Sequence, residues 1–120
     1  MISILLPPPP PECSPNARCG WRAKAAAVQQ YRYDCKMLAL SQLPRVNLSV
    51  PRNLPVIVDI IFVLKDRRRH DWDNLLSSCK ALIDGALVDT GLLPDDDVRS
   101  WTPTLRYEQG EKAGVRVELG

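Results

Sequence analysis

The chain has one histidine, His70, and four cysteines, Cys13, Cys19, Cys35 and Cys79, with no Cys-x-x-Cys pair among them. That spacing argues against the common zinc patterns and leaves the cysteines as free, buried or half-buried thiols of a reducing cytosol. No apolar run is long enough to span a bilayer. The opening MISILL has no basic residue ahead of its apolar stretch and is far too short to cross a bilayer, so the expectation is a cytoplasmic protein with no membrane partner. No segment repeats. The net charge of +2 is too small by itself to announce a nucleic-acid binder.

What is there is ordinary in amount and uneven in placement. The 120 residues are 45% apolar and 25% charged, the composition of one globular domain spanning 1–120. Eleven of the sixteen basic residues are arginine, the better fork for phosphate. Eight of the ten aspartates lie between Asp66 and Asp97. A patch of each sign must therefore sit close together.

The order of elements reads as β, α, β, α, β, β, a mixed α+β domain. Residues 2–6 form a short edge or terminal strand, stopped by Pro7 to Pro11. From about Trp21 to Leu43, Val28, Tyr31, Cys35 and Leu38 recur at helical spacing. Arg22, Gln29 and Lys36 share a stripe of that helix, with Arg18 and Arg32 near it. The stripe is either a solvated face or one that meets a nucleic-acid backbone. Pro44 to Pro55 connects to LPVIVDIIFVLK, whose nearly continuous β-branched run predicts a strand covered on both faces. A second helix is expected over 74–90, with Leu75, Leu76, Cys79, Leu82, Ile83, Ala86 and Leu87 as its apolar face and Gly91 as its stop. WTPTLRYEQG and AGVRVELG alternate like the two arms of a terminal hairpin.

The chemistry concentrates in KDRRRHDWDN, Lys65 to Asn74, which holds three arginines, the histidine and three aspartates. It begins where the apolar strand ends. In an extended segment Asp71 and Asp73 point the same way and can converge on one hard cation such as Mg²⁺, which takes oxygen ligands. Asp73 can equally cap the helix that follows, a role with no place for Asp71. On the helix, Asp73, Ser77, Lys80 and Asp84 fall on one side. Lys80 is then either an ordinary exposed lysine or one that approaches a phosphate beside the metal. Asp84, roughly 16 Å along the helix, is too far to share the ion. The run Asp95, Asp96, Asp97 supplies a third carboxylate or is a solvated acidic turn. If these segments meet, three acids surround a pocket fringed by Arg67, Arg68 and Arg69. Magnesium there would polarise a phosphodiester and lower the pKa of an attacking water, while the arginines hold the DNA.

The string DRRRHDWDNL, followed by an amphipathic helix and LLPDDDV, resembles the RusA-type Holliday junction resolvases of bacteria and their phages. The likeness extends over nearly the whole chain. LPPPPPECSPNAR matches their short strand, proline-rich segment and S/P-N-x loop, which adds Asn16 to the candidate DNA-binding residues. The resemblance implies a homodimeric endonuclease of a bacterial or phage-infected cell that binds four-way DNA junctions and nicks paired strands symmetrically. It implies Mg²⁺, with Mn²⁺ possible, held by Asp71, Asp73 and one of Asp95 to Asp97, of which Asp96 is chosen. One position departs. Such resolvases carry a catalytic lysine four residues after the second aspartate, and Ser77 stands there; Lys80, one turn on, is the candidate substitute. A branched-DNA binder that cuts weakly or not at all is therefore the alternative, and a structural domain with a salt-bridged loop is the third reading.

Overall fold

The computed structural model describes residues 2–14, 18–43, 55–67, 70–94, 99 and 101–119, and leaves the side chains of Asp73 and Ser78 undescribed. The fold is α+β, a four-stranded mixed sheet with helices on one face. The strands are β1 (Ile2–Leu6), β2 (Val56–Leu64), β3 (Trp101–Gln109) and β4 (Gly114–Leu119), in the order β1-β4-β2-β3. β4 runs antiparallel to both β1 and β2, and β3 runs parallel to β2.

That order corrects the expected hairpin. β3 and β4 are consecutive and alternate as hairpin arms should, yet β2 lies between them, with Ile60 opposite Leu105 on one side and Val117 on the other. The long apolar run of β2 makes it the strand best suited to the centre, where both edges are paired. β3 is left at the edge, which accommodates Pro103 and its missing N–H. β1 is the other edge, as expected. Its outer backbone is met by the Gln42 side chain, which donates to the Leu5 carbonyl at 2.8 Å and accepts from the Leu5 N–H at 2.7 Å. One amide thus takes the place of a neighbouring strand.

The prediction that β2 is covered on both faces fails for one of them. Val56, Val58, Ile60 and Phe62 face the helices and are buried, whereas Ile57 on the other face is 63% exposed. Ile61 is the exception on that open face, fully buried between its neighbours Arg106 and Arg116. The stems of arginine cover apolar surface while their heads stay wet. Those heads are tied to acids: Arg116 donates to Glu108 at 2.7 and 3.2 Å and to Glu118 at 2.9 Å.

On the covered face, α1 (Trp21–Gln42) buries Tyr31, Cys35 and Ala39. Leu38, expected in the core, is 39% exposed, and Ala39 takes the buried position. Tyr31 donates its hydroxyl to the Pro7 carbonyl at 2.6 Å, which fastens the proline-rich lead-out to α1. All four cysteines are free. Burial pushes the Cys35 thiol up to about 12, so it packs as a small apolar group.

The single helix expected over 74–90 is three pieces. α2 (Trp72–Ser78) and α3 (Lys80–Ile83) are separated at Cys79, whose backbone leaves the helical region at φ −94°, ψ 0°. α3 then widens into a π-helical turn, Asp84–Val88, where the Asp89 N–H reaches back five residues to the Asp84 carbonyl. Gly85 lets this turn lie close against α1: a Cβ there would lie 2.1 Å from the backbone oxygen of Arg32. The predicted stop at Gly91 is real, with φ +85°. Leu82, Ile83, Ala86 and Leu87 are buried as the pattern required, but Leu76 is 37% exposed. No helix among the described residues is long and apolar enough to cross a membrane.

Candidate nucleic-acid interface and metal site

β2 and β3 are parallel, so the chain must return from the end of β2 to the start of β3. It leaves Leu64 through the charged segment, enters α2 at Trp72, and travels back along the helices to Trp101. The crossover therefore has a near end, at Leu64 and Gln109, and a far end, at Val56 and Trp101. Eight strand steps of about 3.3 Å separate them by roughly 26 Å.

The near end holds the chemistry of the charged segment. Asp66 bonds His70 at 2.8 Å, one turn apart in sequence, and both remain accessible. The Gln109 amide nitrogen donates to the carbonyls of Lys65 and Asp66, each at 2.9 Å, and the Gly110 N–H donates to Leu64. The first turn of the segment is thus pinned to the ends of both strands. Trp72 meets buried Phe62 edge-on, with ring centroids 5.8 Å apart. Between these groups is a cavity of about 360 Å³ that also takes in Arg67, Leu75 and Tyr107.

Asp71 is exposed and immediately precedes α2, with φ −90° and ψ 139°; its carbonyl accepts from the Leu75 N–H at 3.1 Å. This overturns one expectation. The helix begins two residues earlier than the capping argument assumed, so Asp71 occupies the cap position and Asp73 is the second residue inside. The two aspartates do not share an extended segment, and the same-side argument from strand geometry does not apply to them. Arg67 is exposed on the cavity wall. Arg68, Arg69 and Asn16 lie outside the described residues, as do Asp95, Asp96 and Asp97.

The far end is different in character. Ser77, Lys80 and Asp84 do fall on one side, as the helical projection required, and together line an apolar cavity of about 480 Å³ with Leu76, Ile83 and Trp101. Lys80 is 71% exposed at the side chain, and its Nζ lies 3.6 Å from the Asp84 carboxylate. Asp84 is largely buried and also faces Arg32 at 3.9 Å. Arg32 in turn forms a two-pronged pair with Asp89, both bonds 2.7 Å, which holds the Asp89 carboxyl below its ordinary range. Arg32 thus fastens α1 to the π turn. Of the expected basic stripe, Arg22 and Gln29 are exposed, Lys36 is half-buried, and Arg22 lies 5.3 Å from the ring of exposed Trp21.

Among the described residues no three of His, Cys, Asp and Glu come together to hold a metal, a statement that does not extend to the Asp73 side chain or to Asp95 to Asp97. As donors, Asp71 and Asp73 suit a hard cation: both are carboxylates, and Asp71 is exposed. No family model matches the chain, and no curated protein matches it. The site must be argued from its own residues. Sequence reasoning overlooked Tyr107, Gln109 and Trp72. Tyr107 and Gln109 carried no signal until the parallel register placed them beside Phe62 and Leu64. Trp72 stood in plain view between the two aspartates.

Proposed function

We propose that this chain is a Mg²⁺-dependent endodeoxyribonuclease of RusA type, acting as a homodimer on four-way and other branched DNA. The observation that carries the reading is the delivery of Arg67, His70 and Asp71, in that order, from the end of a central strand to the start of a helix that contains Asp73. Arginines clamp phosphates, and carboxylates hold the ion. Asp71 and Asp73 are the proposed ligands, completed by Asp96 of the acidic run. Bound there, Mg²⁺ would supply Lewis-acid activation of the phosphodiester and of the attacking water. Arg67 to Arg69, with Asn16, position the backbone. Two related cuts in one junction call for two related sites, which a two-fold dimer of a small subunit provides.

The test separates binding from cutting. Asp71→Asn is expected to retain a synthetic four-way junction, because the arginines remain, and to lose cleavage. Cleavage at the wild-type rate would remove the mechanism.

A second reading is favoured by the far end. Ser77 occupies the position where the resemblance calls for a lysine. Lys80, the candidate replacement, lies beside Asp84 in the other cavity. A chain without an ammonium near the reacting phosphate would bind branched DNA and cut it slowly or not at all. Incubating junction DNA with the protein and Mg²⁺ or Mn²⁺ distinguishes the two readings.

A further inference from the structure

We propose that the cavity at the ends of β2 and β3 takes an unstacked nucleobase from the branch point, and that this capture, rather than the arginines, makes the chain prefer branched over linear DNA. The proposal rests on the branched-DNA reading above. The cavity, at about 360 Å³, falls in the range of small-molecule pockets of about 300–1,000 Å³. Two aromatic side chains contribute to its wall although both are widely accessible: Trp72 is 43% exposed and Tyr107 is 64% exposed. Buried Phe62 meets the Trp72 ring edge-on. Exposed rings beside cationic groups are the stacking platforms of proteins that bind unpaired nucleic acid. Arg67 supplies that charge, and Asp66, His70 and Gln109 supply polar edges that a base edge can meet.

Linear duplex offers this surface only phosphates, since its bases are stacked. At a branch point stacking is already interrupted, so a base is displaced at least cost. Phosphate contacts then set affinity for any DNA, and the cavity sets the preference among DNA shapes.

The experiment places 5-iododeoxyuridine either at the branch point of a four-way junction or within one arm, in EDTA to prevent cleavage, and maps photo-crosslinks on the full chain by mass spectrometry. The branch-point label is expected to crosslink to Tyr107 or Trp72, and the arm label to neither. Tyr107→Leu removes an exposed ring without emptying the core; an unchanged melting temperature verifies this. It is expected to weaken junction binding about tenfold and leave duplex binding unchanged. A junction that is retained but crosslinks only elsewhere overturns the base pocket and leaves the branched-DNA reading intact. So does a Tyr107→Leu chain that loses junction and duplex equally. A wild-type chain that retains no junction DNA overturns both.

Discussion

The two ends of the crossover from β2 to β3 are built from similar residue types and differ in what those residues are doing. Each has a cavity, a tryptophan, a carboxylate and a basic group. At the far end the charges answer one another: Lys80 lies against Asp84, and Arg32 joins Asp84 and Asp89. That cluster fastens helix to helix and leaves an apolar cavity. At the near end the groups gather at the margin of the sheet, and Arg67, His70 and Asp71 are exposed. Ion pairs that join two helices stabilise the fold, whereas charge of both signs exposed at the margin of a sheet is suited to a charged ligand and its counter-ion, even where, as for Asp66 and His70, some of it is paired. The comparison supports the proposed function at the near end and gives the far end an architectural role.

The sharpest way to break that assignment is at the near end. Asp73→Asn should reduce junction cleavage at least about 100-fold, a barrier change of about 2.7 kcal/mol, with binding retained. A gel-resolved time course measures it. Next in size is the architectural prediction. Gly85→Ala drives a methyl into the Arg32 carbonyl and should destabilise the fold by about 2 kcal/mol or more, read as a lower denaturant midpoint. An unchanged midpoint would mean that α1 and the π turn are not in tight contact. Lys80→Ala sharpens the contrast from the far side. With its ammonium beside Asp84, its loss should alter cleavage by less than about threefold; a tenfold fall would make Lys80 the stand-in for the lysine absent at Ser77.

The smallest effect concerns pH. Arg32 holds the Asp89 carboxyl below its ordinary value, so the pair stabilises the fold above pH about 4 and that contribution is lost as pH falls through the lowered value. Arg32 is 45% exposed, which limits the pair to about 0.5 kcal/mol. Asp89→Asn should therefore melt slightly below wild type at pH 7 and level with it near pH 2. A gap that persists in acid would assign the effect to packing.

Much of this architecture was legible because local signals agreed with global needs. β1, the central apolar strand, the span of α1 and the stop at Gly91 each had a matching period or turn residue. What was not legible depended on partners. Nothing within β3 or β4 says that a third strand inserts between them; that follows from β2 being the most apolar strand and taking the centre. The breaks at Cys79 and Asp84, and the close approach of Gly85 to α1, leave no mark in helical periodicity. At the site, the arginines and aspartates were visible as a string, but the start of the helix two positions early, with Asp71 at the cap, was not. Tyr107 joined them only through register with a strand forty-five residues earlier, Phe62 being its partner.

The most direct measurement is incubation of the purified chain with a synthetic four-way junction labelled on opposing strands, with and without Mg²⁺. Paired, symmetry-related nicks that need the metal and vanish in Asp71→Asn are the predicted result. A junction that the protein binds tightly and leaves whole at every Mg²⁺ and Mn²⁺ concentration would contradict the nuclease assignment and leave a DNA-binding protein in its place.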